Sequence, residues 1–128
     1  MRTQFTAALA LLAGVAIGAV AVQGLHAEAK PPAYVVVEIR SITDADGMKR
    51  VAEKASPAAL AAAGGHYVVR TNEVIGLDGV PPKRFVLIAF DNLEKAKAWR
   101  DSAATEEVSA LRAKSSDSSS FLVEGVAN

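Results

Sequence analysis

Two seven-residue segments, 34–40 (YVVVEIR) and 84–90 (RFVLIAF), constrain the fold of this chain more than any other feature. Both are rich in β-branched and aromatic residues, which suit the pleated, half-buried surface of a sheet. The second is the more hydrophobic and is read as a central strand. In the first, Val35, Val37 and Ile39 share one face, and Tyr34, Val36, Glu38 and Arg40 share the other, because successive side chains point to opposite sides of a strand.

The chain between and after these strands reads as helices and turns. Asp44 or Asp46 can cap a helix that continues to Lys54. Ser56-Pro57 reads as a second N-cap, with proline at the first helical position, where its missing N–H leaves no bond unmade. That second piece, 58–63, is nearly all alanine and stops at Gly64-Gly65, where a glycine can take the left-handed conformation just past a helix end. Residues 66–71 (HYVVRT) form the next strand, and 73–77 are expected to extend it after a bulge. Asp78-Gly79 and Pro81-Pro82 mark the turn region. After the RFVLIAF strand, Asp91 or Asn92 caps a helix, with Glu94 spaced for a capping box from Asp91. Leu93, Ala96 and Trp99 or Arg100 follow helical spacing. A further helical piece runs from about Thr105 to Lys114, with Val108 and Leu111 on one side. Residues 115–120 (SSDSSS) are expected to be a flexible polar loop, and 121–126 the last strand. The order βαββαβ implies an α+β, ferredoxin-like antiparallel sheet with its helices on one face. The other face then also needs cover, which a second subunit can supply.

Ahead of this domain lies a segment of different character. Arg2 precedes an uninterrupted run of small apolar residues at 7–22, followed by a polar stretch with Ala27-Glu28-Ala29 as an A-x-A-like cleavage site. This order is that of a secretory signal peptide over residues 1–29, cleaved after Ala29 or after Ala27. Retention as a membrane tether is the alternative, although the apolar run falls just short of the ~17–25 residues of a spanning helix. In both cases the domain at 30–128 is expected outside the cytoplasm, periplasmic or secreted. The chain is 51% hydrophobic, but 19 of those residues belong to the leader, and the remainder is ordinary for a soluble domain. Basic and acidic residues balance at 14 each. Arg2 and Glu28 leave with the leader, so the domain stays neutral. With no cysteine and no net charge, the chain cannot be a disulfide scaffold or carry a Cys-ligated metal, and it lacks the basic surface of a nucleic-acid binder. Its length excludes a large multidomain enzyme.

Several motifs in sequence resemble one family. These are YVVVEI, Gly64-Gly65 before HYVVR, and GVPPKRFVLIAF at 79–90. They continue with NLEKAKAW at 92–99, Arg112, and LVEG at 122–125. In this order and spacing the chain resembles domain of unknown function 1330, within the dimeric α+β barrel superfamily, over nearly all of 34–126. The resemblance implies a ferredoxin-like protomer whose sheet pairs with that of a second copy to enclose a barrel. Superfamily relatives include cofactor-independent monooxygenases, haem-degrading enzymes, isomerase-like and dye-peroxidase-like proteins, and the family itself has no agreed reaction. Members often carry tyrosine where this chain has Arg100 and Thr105, so any role of those tyrosines does not transfer here.

Strand parity supplies the candidate site. Glu38 and Arg40 share a face with Tyr34, His66 and Arg70 with Val68, Arg84 with Val86, Ile88 and Phe90, and Glu124 with Leu122. If these faces all point away from the helices, Glu38, His66, Arg70 and Glu124 form a mixed-charge cluster in an apolar barrel interior, a setting that perturbs pKa values and binds ligands. Each member also has a plainer reading. His66 can be a hydrogen-bonding histidine at a strand edge rather than a proton-transfer catalyst, since no orienting partner is visible. Arg70 can pair with Glu38 or Glu124 rather than clamp a ligand carboxylate. Trp99 reads as core. Arg112 can bind an anion, and equally can complement a helix C-terminus. No cofactor is expected. His66 is the single histidine of the domain, no metal-binding pattern is present, and a haem would have only His66 as its proximal ligand.

The resulting expectation is an exported homodimer that binds a small apolar or weakly acidic molecule in a barrel cavity. A cofactor-independent monooxygenase- or isomerase-like enzyme is one alternative, with His66 or a carboxylate moving the proton. The other is an interaction module whose interior is filled by side chains.

Overall fold

The β-branched segments pair as expected, and the helices between them lie against one side of the resulting sheet. The structure, a computed structural model, describes residues 30–127. The leader at 1–29, with its cleavage site and its alternative reading as a tether, lies outside them. The elements are β1 (Ala33–Ile42), α1 (Ala45–Lys54), α2 (Pro57–Ala62), β2 (Gly65–Thr71), β3 (Arg84–Phe90), α3 (Leu93–Arg100), α4 (Ala103–Ser115) and β4 (Ser116–Glu124). The sheet is antiparallel in the order β2-β3-β1-β4, so the two hydrophobic segments are its central strands and the fold is ferredoxin-like.

The helix starts follow from local chemistry. Asp44 accepts a hydrogen bond from the Gly47 N–H at 3.1 Å, and Ser56 accepts one from Ala59 at 3.2 Å, with Pro57 opening α2. Asn92, rather than Asp91, caps α3 through the Lys95 N–H at 3.0 Å, while Asp91 pairs with the Lys95 ammonium at 2.9 Å. Ser102 caps α4. Gly64, at φ +88°, takes the left-handed position after α2.

The core lies between the sheet and the helices. Val35, Val37 and Ile39 of β1 and Ile88 and Phe90 of β3 meet Met48, Val51, Leu60, Ala96 and Val108 from the helices. Each of these side chains larger than alanine stabilises the fold by roughly 1.5–3 kcal/mol on leaving water, before entropy is counted. Trp99 packs against this cluster, its ring centroid 5.4 Å from that of Phe90 and tilted by 42°, which agrees with its reading as core.

Three local expectations need correction. The serine-rich segment is not a loop: Ser118, Ser119 and Ser120 pair with Ile39, Glu38 and Val37, and β4 starts directly at the end of α4. Backbone pairing does not depend on side-chain hydrophobicity, and β1 is long enough to template it. Side chains then fasten the segment. Arg40 bonds both carboxylate oxygens of Asp117, at 2.7 and 3.1 Å, and the Ser119 hydroxyl at 2.9 Å. Residues 73–77 do not extend β2 and instead begin the long connection to β3. The irregularity expected after β2 lies inside it, where the register with β3 shifts between Tyr67 and Val69.

Candidate functional site

That shift decides which side chains reach the core side of the sheet. Tyr67 pairs with Ile88, whereas Val69 pairs with Leu87 and Arg70 with Val86. A β-bulge places one extra residue in one strand and inverts the parity beyond it. Tyr67 and Arg70 therefore both stand on the helix-covered face, and the Arg70 guanidinium carbon lies 4.7 Å from the centroid of the Tyr67 ring. Arg84 pairs with Ile39 and Val86 with Val37, so the whole Arg84–Val86–Ile88–Phe90 face also turns toward the helices.

The expected cluster of Glu38, His66, Arg70 and Glu124 is accordingly split. Glu38 and His66 stand on the open face. His66 is level with Tyr34 across Ala89, and Glu38 lies four residues further along β1 and two strands away. Arg70 stands on the covered face. Glu124 has the parity of Ala33, toward the helices, but is exposed on the edge strand. The cause is the bulge for Arg70 and the orientation of the core residues for Arg84 and Glu124. His66 is exposed, next to the end of β3. The Lys95 ammonium holds the nearby Asp91 carboxyl below the usual carboxylate value, with a smaller contribution from His66.

The structure instead forms a cavity of about 150 Å³ between sheet and helices. Its floor is Val37, Ile39, Val86 and Ile88. Its walls are Met48 and Val51 of α1 with Ala55 at its C-cap, Leu60 of α2, and Trp99, Thr105 and Val108 of α3 and α4 with the turn between them. Helical periodicity explains the last wall, since Thr105, Val108 and Arg112 recur on one side of α4. The Tyr67 hydroxyl donates to the Ala55 carbonyl at the end of α1, which fixes the ring at the rim.

Charge around this cavity is of one sign. Arg70, Arg84, Arg112 and Lys54 line it, and among the described residues no Asp, Glu or His does. Lys54 is matched by Glu107 at 2.9 Å, but among the described residues no carboxylate pairs with the three arginines. Burial pushes the Arg84 guanidinium below its ordinary value, and the neighbouring Arg70 charge pushes it further. Burial does the same to Arg112. Tyr67 is close enough to act on both. Three cationic groups thus gather around one tyrosine at the edge of an apolar space. Such a site can hold an apolar body and neutralise a negative end. It offers no imidazole or carboxylate for proton transfer.

Reasoning from parity alone missed Arg84 and Tyr67 as members of the site. Arg84 opens an apolar strand with the same parity as Val86 and Ile88, and Arg112 continues the buried stripe of α4. Both signals are present in the sequence once the covered face is known.

The family model for domain of unknown function DUF1330 matches residues 32–126. No curated protein matches the chain. Among solved structures, a protein of unknown function from Rhodopseudomonas palustris is similar with a TM-score of 0.60 at 12% identity, covering 76% of this chain and 84% of that one. A conserved protein of unknown function from Bacteroides thetaiotaomicron, described as a possible oxidoreductase, has a TM-score of 0.50 at 13% identity over 75% of this chain and 99% of that one. A Bacteroides fragilis protein described as dimeric, with a ferredoxin-like fold, has a TM-score of 0.44 at 14% identity over 73% and 95% of the two chains. At these identities the likeness shows the fold alone.

Proposed function

The chain belongs to the DUF1330 family, and on that premise we propose that it is an exported homodimer in which each protomer binds one small, largely apolar molecule between its sheet and its helices. The observation that carries this reading is the cavity itself. The space of about 150 Å³ is largely apolar, opens to solvent on one side and holds a ring-sized molecule. The location differs from the barrel interior anticipated from strand parity, because the bulge in β2 turns Arg70 to the covered face.

The homodimer is supported by the open face. Val36, Phe85, Leu87, Phe121 and Val123 share it by register, and Phe121 and Val123 are 47% and 42% exposed. Exposed apolar side chains such as Phe121 and Val123 on a sheet face favour a second sheet against them. Export rests on the leader pattern at 1–29. Intact-mass measurement of protein recovered from the exported fraction is expected to give a chain starting at Lys30, or at Glu28 for the alternative cleavage.

Native mass spectrometry of that protein tests the binding. The expected result is one small molecule per protomer, released on denaturation. Trp99 is the single tryptophan and lines the cavity, so its fluorescence reports occupancy directly. A ligand-free protein whose Trp99 emission is unmoved by a panel of small aliphatic and aromatic compounds sinks the reading.

A further inference from the structure

Resting on the binding just proposed, we infer that the ligand is an organic anion, a small carboxylate whose apolar body fills the cavity and whose charged end is held by Arg112, Arg84 and Arg70 around Tyr67.

The argument begins with what an arginine can do. A guanidinium does not lose its proton under ordinary conditions, so burial cannot be relieved by neutralisation. Arg84 and Arg112 are half-buried, so each must find a negative partner or remain a partly desolvated charge against an apolar wall, while Arg70 stands exposed beside them. This chain has acidic residues to spare, and it places them against other cations: Asp117 on Arg40, Glu107 on Lys54 and Asp91 on Lys95. At the cavity the same pairing is withheld from Arg70, Arg84 and Arg112 among the described residues. Two of these guanidiniums also repel each other. Arg70 sits opposite Val86, which makes Arg84 its diagonal neighbour on β3. Arg112 reaches the same place from α4. Like charges brought together from three elements, with no acid among them, match a group that carries the charge in from solution.

The shape of the site narrows the class. The floor and walls are mostly aliphatic and aromatic, with Ser102 and Thr105 the small polar exceptions, so a bare inorganic anion leaves them unfilled. The volume admits about one ring or a short chain. The planar guanidinium fork matches a carboxylate's two oxygens. The Tyr67 ring holds the Arg70 guanidinium by cation–π contact and so orients it.

The test uses Trp99 fluorescence and calorimetry on the intact exported protein, with benzoate and hexanoate as probes. Each is compared with its amide, which has the same shape without the charge, and with inorganic phosphate, which has charge without an apolar body. The expected result is that a carboxylate binds roughly tenfold or more tighter than its amide, in line with charge-assisted hydrogen bonds. Phosphate should fail to compete. Arg112→Gln should reduce the preference for carboxylate over amide severalfold, since two of the three guanidiniums remain. Arg84→Gln serves as the second variant if Arg112→Gln does not fold by circular dichroism. Equal binding of acid and amide by the native protein overturns the inference while leaving a small-molecule site in place. Phosphate competing as well as benzoate overturns the organic part of it. Binding of neither acid nor amide removes both this inference and the reading beneath it.

Discussion

Tyr67 and Arg70 are three residues apart on β2, yet the Arg70 guanidinium stacks 4.7 Å from the centroid of the Tyr67 ring. On a regular strand they would face opposite sides of the sheet. The shift between Tyr67 and Val69 puts both on the side where the helices lie, and this inversion gives the cavity its positive rim. Val68, which is 52% exposed, is the extra residue of the bulge, so deleting it should restore regular alternation with Tyr67 and Arg70 two apart and still on the covered face. The expected outcome is a folded protein that keeps the cation–π contact. A crystal structure or nitrogen-resolved NMR of the Arg70 side chain would show whether the guanidinium has left the Tyr67 ring.

Tyr67→Phe separates the hydroxyl from the ring. The hydroxyl donates to the Ala55 carbonyl at the end of α1, and its loss should cost about 1 kcal/mol. The ring that carries Arg70 remains, so binding of a cavity ligand should change little. Tyr67→Leu removes both and should weaken anion binding as well. Urea denaturation gives the first quantity and Trp99 fluorescence titration the second. A Tyr67→Phe variant as stable as the native protein would show that water replaces the hydroxyl at the carbonyl without loss.

These residues also show what was legible in the sequence. The strands at β1 and β3, the caps at Asp44 and Ser56, and the left-handed Gly64 follow from local chemistry within a few neighbouring residues, and they were readable. The family resemblance was readable for the same reason, being carried by short motifs in fixed order. The bulge at Tyr67–Val69 was not, because HYVVRT contains no glycine or other mark of it, and one extra residue reverses every face assignment beyond that point. The choice of covered face was also open, since both faces of β1 carry valines. The first half of β4 was hidden by its serines, whose pairing comes from the neighbouring strand rather than from their own preference.

Gly65 begins β2 where the chain passes directly over the core. A Cβ there would lie 2.8 Å from Cε1 and Cζ of Phe90 and 3.0 Å from Cδ1 of Leu60. Both neighbours are buried, and Phe90 also packs on Trp99, whereas Leu60 borders the cavity and can yield more easily. Gly65→Ala should destabilise the protein by roughly 1–3 kcal/mol through overpacking. It should also alter Trp99 emission, because the displaced Phe90 ring packs on the Trp99 ring. Gly64→Ala one residue earlier meets no atom within 4 Å, but strains a backbone at φ +88°. The two variants therefore lose stability for different reasons, and only Gly65→Ala should shift the fluorescence.

Acid sensitivity should concentrate at the start of β4. The Arg40 guanidinium hydrogen-bonds Asp117 and holds its carboxyl below the usual value of 3.8. A carboxyl whose folded pKa is depressed contributes stability above its unfolded pKa, and that contribution disappears as pH falls through the folded value. The melting temperature should therefore drop more steeply below about pH 4 in the native protein than in Asp117→Asn. Because the pair is open to solvent, added salt should reduce the difference between the two profiles. Identical profiles would mean that Arg40 holds the strand through Ser119 alone.

The open face offers a way to tell the two possible interiors apart. Phe121 pairs with Val36 on that face, and Val123 with Tyr34. Placing a charge there, as in Phe121→Lys, should oppose burial against a second sheet and shift a dimer toward monomers in light scattering. The cavity between sheet and helices is built from a single protomer, so the monomeric variant should keep its Trp99 response to a bound carboxylate. A barrel interior shared by two sheets would behave in the opposite way, since separating the subunits would open it to water and abolish binding. If Phe121→Lys is monomeric and retains ligand, the pairing face and the binding face are the two opposite sides of one sheet. If it loses ligand while Trp99, Phe90 and the arginines remain folded, the ligand belongs between the subunits, and the arginine-rimmed cavity is not its site.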